Sequence, residues 1–229
     1  MTLKEMIFKR KSCRSFTGKP VDAEMIEKIL SFDLKPLYPE IKVRMDIVGR
    51  DSVKCICPWT TPQLITVYSE EAEGYLENIG FLFQQMDLYL QTLGLGVCWL
   101  GLGRMNPKTT TEVDGMKFVI MLAFGHPKGD RLRHDGKDFK RKAMEQITDK
   151  ADARLEPARL APSAVNSQPW FFTHEGDIVH VHCSRKGSRL DAGIALAHLY
   201  VSNEETFTFF QADRVTNLPG YTYIGSVNL

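Results

Sequence analysis

No hydrophobic run in this chain approaches the ~20 residues that a helix needs to cross a bilayer, and an excess of charge of either sign is missing too. Lys and Arg number 29 against 28 Asp and Glu, a formal net charge of +1. The first absence excludes a transmembrane helix. The second removes the broad basic field that holds nucleic acid or anionic lipid, so neither partner is expected. The opening residues, MTLKEMIFKRKSCRSF, lack the apolar stretch of a secretory leader, and a cytoplasmic location is expected. Cysteine is sparse and odd in number. Cys13, Cys55, Cys57, Cys98 and Cys183 form no disulfide framework and read as reduced thiols. Cys55 and Cys57 have no matching Cys or His pair at zinc-ligand spacing, so no metal is expected. Neither a Walker motif nor a G-x-S-x-G nucleophile elbow occurs.

Hydrophobic residues make up 43% and charged residues 25% of the 229, as in an ordinary globular protein. A chain of this size buries roughly 70% of its unfolded surface, enough for a core without staples. Periodicity predicts helices over 3–11, from an Asp22 N-cap to about Leu30, from Tyr75 to Leu93 and over about 191–202, with a short helix before Ala161 interrupted near Pro157. Strands are predicted from Val43 to Ile47, at 64–68, 117–124, 170–174 and 178–183, and near 206–210 and 221–227. Residues 126–142 are basic, contain glycine and read as a long connection or a linker. The order helix, strand, strand, helix, strand thus occurs twice. Asn78-Ile79-Gly80-Phe81 opens the first long helix and Asp191-Ala192-Gly193-Ile194 opens the second. This echo predicts an α+β fold duplicated into two pseudo-symmetric halves.

Three segments have the composition of a binding site. In Arg10-Lys11-Ser12-Cys13-Arg14-Ser15-Phe16, cations and hydroxyls crowd a helix end, either as a phosphate grip or as a solvated basic face. In Ala161-Pro162-Ser163-Ala164-Val165-Asn166-Ser167-Gln168-Pro169-Trp170, two prolines stiffen a loop of small and amide side chains. It suits a flat heterocycle with alternating donors and acceptors, or it is a turn before a strand. Gly94-Leu95-Gly96-Val97-Cys98-Trp99-Leu100-Gly101 follows a helix and has the wrong spacing for a dinucleotide fingerprint. Its glycines either admit a ligand close to the backbone or cap the helix into a core strand. Arg131 and Arg133 lie in the basic connection, as phosphate contacts or as solvated charges.

Together these segments resemble the FMN-dependent nitroreductase family. RKSCRSF matches its R-R-S-x-R-x-F motif with Lys in the second place, residues 161–170 match A-P-S-x-x-N-x-Q-P-W at every specified position, and GLGVCWLG matches G-L-G-x-x-W-[IL]-G. GHPKGDRLRH resembles the strand exit and basic pair that follow. The order departs from the usual one: the Pro-Ser-Asn loop comes after residue 160 instead of roughly 25 residues behind the first motif. That arrangement resembles the two-subdomain branch of the family. In it, one chain supplies what two subunits of an ordinary dimer supply, with a boundary placed at 1–145 and 146–229.

The resemblance implies a three-layer α-β-α nitroreductase-like fold and one FMN per chain. It implies phosphate contacts from Arg10, Lys11, Ser12, Arg131 and Arg133, and Arg14 at the flavin pyrimidine edge. Pro162, Ser163 and Asn166 would lie against the ring, and backbone N–H groups of Leu100 and Gly101 near the flavin N5. Gln168 and Trp170 would fix the loop. The implied reaction is ping-pong transfer from NAD(P)H to a small electron-poor acceptor such as a nitroaromatic or quinone, with no catalytic side chain required. An FMN carrier, sensor or degenerate scaffold with little turnover is the alternative. A monomeric pseudo-dimer is expected, with Trp59 and its apolar neighbours as a surface for further association.

Overall fold

The computed structural model describes residues 1–55, 61, 63–108, 111–134 and 139–229; Cys57 and Trp59 lie outside the described residues. Thr2 caps α1 (Leu3–Ile7) in a capping box with Glu5, and Asp22 caps α2 (Ala23–Leu30) by accepting from the Met25 N–H at 2.9 Å. Next come β1 (Val43–Gly49), the two-residue β2 (Val53–Lys54), β3 (Gln63–Ser69) and the long α3 (Tyr75–Thr92). β4 (Gly96–Leu100), β5 (Arg104–Met105), β6 (Glu112–Val113) and β7 (Met116–Gly125) follow. The rest of the chain holds α4 (Glu156–Arg159), β8 (Trp170–Glu175), β9 (Ile178–Ser184), α5 (Arg189–Ser202), β10 (Thr208–Phe210) and β11 (Tyr221–Asn228).

Two antiparallel sheets carry this α+β fold. The first has the order β1-β3-β7-β4, with β6 paired to β7; the second has β8-β9-β11-β10. Strand for strand the path is the same, with one long helix inserted after the second strand. Each sheet bulges between its second strand and that strand's inner neighbour, leaving Val119 unpaired in β7 and Ile224 unpaired in β11. α3 packs on the first sheet and α5 on the second, and the two helices pack on each other. Their crossing is tight and reciprocal. A Cβ at Gly80 would strike the Leu190 carbonyl oxygen, and a Cβ at Gly193 would strike the Glu77 carbonyl oxygen.

α3 is buried on most of its faces, and its buried polar side chains bind other segments to the core. Asn78 Oδ1 accepts from the N–H groups of Leu37 and Tyr38 at 2.9 and 3.0 Å. Asp87 holds Arg10, Gln85 holds the backbone of Lys35, and Glu77 pairs with Arg189. Each group thus finds the partner that burial demands.

Two expectations need correction. The first helix ends at Ile7, not Lys11, because tertiary pairing takes the backbone from residue 10 onward. Arg10 bridges Leu132, Ser12 bridges Val97 and Phe16 bridges Pro127. For the same reason residues 126–133 are no linker. Lys128 N–H donates to the Ser15 carbonyl and Arg133 N–H to the Lys9 carbonyl, so this stretch is laced to the 10–16 segment. The Cys13 side chain packs where a Cβ of Gly96 would stand. The requirement for glycine there comes from the neighbouring segment.

Candidate active site

A cavity of about 580 Å³ opens between the two sheets' helices and the loops that the sequence singled out. That is within the range of small-molecule sites. Ser12 and Arg14 line it from the 10–16 segment, and Cys98, Trp99, Gly101 and Leu102 from β4 and the turn after it. Val119 and Ile120 reach it from the β7 bulge, and Pro162 to Val165 from the proline loop. Ser188, Leu190, Asp191 and Ile194 complete the wall at the start of α5, with Leu76 from α3. Of the residues predicted from sequence, Ser12, Arg14, Gly101, Pro162 and Ser163 therefore meet around one space. Leu100 lies beside it, buried at the end of β4.

The proline loop is strained and heavily braced. Val165, Asn166 and Gln168 all have positive φ, at 47°, 59° and 46°, a conformation that is costly for non-glycine residues and most so for a β-branched one. Braces from both ends offset this. Ala164 N–H donates to both Asp191 carboxylate oxygens at 3.1 and 3.2 Å, and Gln168 N–H donates to Ser163 Oγ at 2.9 Å. Lys142 N–H donates to Gln168 Oε1 at 2.9 Å, and Arg141 Nη1 donates to Asn166 Oδ1 at 2.6 Å. Asn166 thus uses its amide on Arg141 and on the Lys140 carbonyl and does not line the cavity. Gln168 fixes the loop as expected. The braced loop presents Val165 at its tip, 99% exposed, and Leu102 stands on the opposite turn at 68%. The cavity mouth therefore has apolar lips.

The cations divide into two groups. Arg14 lines the cavity, is exposed and makes no hydrogen bond or ion pair to any described residue. Its charge acts on Cys98, whose thiol burial nevertheless pushes up to about 11, so that thiol stays protonated and is no nucleophile. The second group lies beyond Ser12. Arg10 donates to Ser12 Oγ at 3.4 Å and is ion-paired with Asp87 through Nε at 3.0 Å. Arg133 Nε donates to the Arg10 carbonyl at 3.1 Å, and its guanidinium sits 4.4 Å above the Phe139 ring. Arg141 was not singled out in the sequence. Burial, then the charges of Arg10, Arg133 and Arg159, push its guanidinium down to about 10. Asp87 and Glu156 neutralise Arg10 and Arg159. No carboxylate among the described residues pairs with Arg141, which gives that guanidinium the electrostatics of an anion contact. Arg131 lies outside the group and donates to the Gln91 carbonyl at 2.8 Å. Lys11 uses its backbone N–H on Gln91 Oε1; neither lines the cavity.

Trp99 is anchored from behind. Its Nε1 donates to Gln84 Oε1 at 3.3 Å, Gln84 Nε2 meets His198 Nε2 at 3.1 Å, and His198 Nδ1 meets the Pro157 carbonyl at 2.8 Å. Since the carbonyl only accepts, Nδ1 carries the proton and Nε2 accepts from Gln84. Burial pushes His198 down to about 3, so the chain of bonds is neutral.

On the opposite side of the helix pair, the aromatic rings of Tyr38 and Phe209 crowd the loop that Asn78 binds. Residues 36–38 hold the place of 162–164: a proline two residues ahead of the backbone N–H bound by the helix start, Asn78 here and Asp191 there. The Tyr38 ring packs on Gly74 and stands edge-on to Phe209, 5.5 Å between centroids, and its hydroxyl accepts from Gln211 Nε2. Burial pushes that hydroxyl up to about 12.

A family model described as "Putative TM nitroreductase" matches residues 2–203. Among solved structures, the chain is similar to a putative nitroreductase from Thermotoga maritima at 21% identity. That alignment covers 99% of this chain and 92% of that one, with a TM-score of 0.69, a likeness of fold. A nitroreductase family protein from Clostridium novyi is 18% identical over 56% of this chain and 87% of its own, with a TM-score of 0.45. An FMN-dependent nitroreductase from Clostridium difficile is 16% identical over 56% and 91%, with a TM-score of 0.44. No curated protein sequence matches the chain.

Proposed function

Because this chain belongs to the nitroreductase family, a family of oxidoreductases, we propose that it binds FMN in the cavity and passes hydride from NAD(P)H to a small electron-poor acceptor such as a nitroaromatic or quinone. The observation that carries this reading is the juxtaposition of Arg141, a guanidinium with no carboxylate partner among the described residues and bonded to the proline loop, with a cavity walled by Trp99, Pro162 and Ile194. A flat ring with a phosphate tail suits both. Bound FMN would supply a hydride carrier, the chemistry the side chains lack. Ser12 and Arg141 would hold the phosphate, backed by Arg10 and Arg133. Arg14 would place its charge beside the ring, where a cation favours a reduced, anionic ligand over a neutral one. Gly101 would leave its backbone accessible, and the anchored Trp99 would hold the apolar wall that excludes water.

The site draws Ser12, Arg14 and Gly101 from residues 1–145 and Pro162, Ser163 and Asp191 from residues 146–229. The matching strand order, paired bulges and reciprocal glycines support descent by duplication and fusion, with the Tyr38 side as the half that lost its ligand. The reading gives one flavin per chain in a monomer. Purified protein loaded with FMN and desalted should be yellow, release about one FMN per chain, run near 26.0 kDa by light scattering and bleach on NAD(P)H under nitrogen. Yellow protein that does not bleach would leave a flavin carrier, and protein that takes up no FMN would end the reading.

Arg141 gives a sharper check. Arg141→Ala removes a charge-assisted contact worth about 1.5–3 kcal/mol, so FMN affinity should fall on the order of 10- to 150-fold while riboflavin affinity stays within about twofold. Equal losses for both ligands would assign Arg141 to the loop through Asn166 and not to the phosphate.

A further inference from the structure

We propose that Asp191 is the proton-holding residue of the cavity: filling the cavity moves a proton from solvent onto its carboxyl, which then presents an O–H donor to a carbonyl or nitro oxygen of the occupant. The inference rests on the reading of the cavity as a flavin and acceptor site, and it adds an acid to a site whose family resemblance called for none.

The geometry carries it. Asp191 lines the cavity yet is only 3% exposed. Its two oxygens share a single donor, the Ala164 N–H, which leaves acceptor capacity unused. The charged groups around it are engaged elsewhere or absent. On its own helix, Arg189 pairs with Glu77 of α3. On β9 the nearest ionisable group is Cys183, whose thiol burial, then the charge of Asp191, pushes up to about 12. On β4 it is Cys98, also protonated. The proline loop that packs on Asp191 holds no ionisable side chain over 161–168. Across the cavity stands Arg14, exposed to water. No basic side chain among the described residues pairs with Asp191.

The counterpart in the other half sharpens the contrast. Asn78 opens α3 as Asp191 opens α5, and braces the Pro36 loop as Asp191 braces the Pro162 loop. An amide performs the bracing without titrating. The half whose loop carries Tyr38 has the neutral group and the half that lines the cavity has the acid. Burial already raises the Asp191 carboxyl to about 6, with the Ala164 N–H pulling the other way. An occupant that displaces the remaining water raises it further, because no cation among the described residues pairs with Asp191 and Arg14 stands on the far side of the occupant. The balance is one proton from buffer and one O–H bond formed on Oδ, with no electrons moved. A carboxyl that changes state near neutral pH is suited to return that proton to a reduced acceptor.

Asp191→Asn keeps an oxygen for the Ala164 N–H and removes the proton site, as Asn78 shows an amide can. Two measurements decide. In ligand-free protein, unfolding the wild type frees the carboxyl from about 6 to the ordinary ~3.9. Between those values only the native state holds the proton, so wild-type Tm should fall relative to Asp191→Asn as pH rises from 4 to 6.5. Tm values that run parallel overturn the assignment. The second is FMN titration calorimetry at pH 7 in buffers of different ionisation enthalpy. It should give uptake on the order of half a proton more in wild type than in Asp191→Asn. The titration of the FMN phosphate is common to both proteins and cancels. Equal uptake, or proton release by the wild type, overturns the inference even if FMN binds. Absence of any FMN binding in a protein with the stated ligand-free behaviour instead overturns the flavin reading, and the inference with it.

Discussion

Gly80→Ala and Gly193→Ala should each destabilise the protein by about 3 kcal/mol, although alanine is the better helix former by ~1 kcal/mol. At these two positions α3 and α5 approach backbone to backbone. Each added methyl would press on a carbonyl oxygen, Leu190 for Gly80 and Glu77 for Gly193. A backbone atom cannot turn aside as a side-chain end can, so the helices must part. Their separation opens the core around Ile79, Phe83, Ala192 and Ala197, which are buried in one cluster. Overpacking of this kind typically costs 1–3 kcal/mol and more when the neighbour is rigid. One separation relieves both clashes, so the double variant should cost less than the sum, with a coupling above ~0.5 kcal/mol. Denaturant midpoints at constant m-value measure all three. A neutral Gly80→Ala would mean that the helices cross with slack. The same motion carries Leu76, Leu190, Asp191 and Ile194, which wall the cavity, so ligand affinity should fall along with stability.

Helix and strand periods located nearly every long element, because amphipathic and buried runs are a local property. β4 was the exception among them. Its Gly-x-Gly run is legible both as a cap and as a strand, and only its pairing with β7 decides. The cavity was legible where a motif confines its residues to one short segment: Ser12 and Arg14, Gly101, Pro162 and Ser163. Asp191 and Arg141 were not. An acidic residue in the first turn of a helix is ordinary capping chemistry, and nothing local says that its carboxylate closes a cavity wall. Arg141 sits in a basic tract that nothing local distinguishes from a solvated face, and its meaning comes from Arg10, 131 residues away. The one available signal for Asp191 was its alignment with Asn78 in the echo between the two helix starts.

Arg10→Ala should destabilise the protein by about 3–5 kcal/mol, far beyond what a surface arginine at a binding site would cost. Arg10 is 1% exposed and Asp87 is fully buried. The arginine donates through Nε and Nη2 to both oxygens of that carboxylate, at 3.0 and 3.3 Å. Removing one member of such a pair leaves an uncompensated charge in the core, with Gln91 Nε2, at 2.6 Å, the only side chain among the described residues still donating to it. Replacing both members by apolar groups of similar volume, as in Arg10→Met with Asp87→Leu, removes that penalty. It should recover all but about 1–2 kcal/mol, the remainder reflecting the orphaned Gln91 amide. The contrast bears on function. FMN binding lost in Arg10→Ala could reflect a collapsed 10–16 segment, since Cys13 and Ser12 reach β4 through that anchor. FMN binding lost in the refolded double variant would report the support that Arg10 gives the phosphate site through Ser12. Chemical denaturation of the three proteins, followed by FMN and riboflavin titration of the stable two, separates these effects. If Arg10→Ala proves as stable as the wild type, the ion pair is not the anchor and Arg10 belongs to the ligand alone.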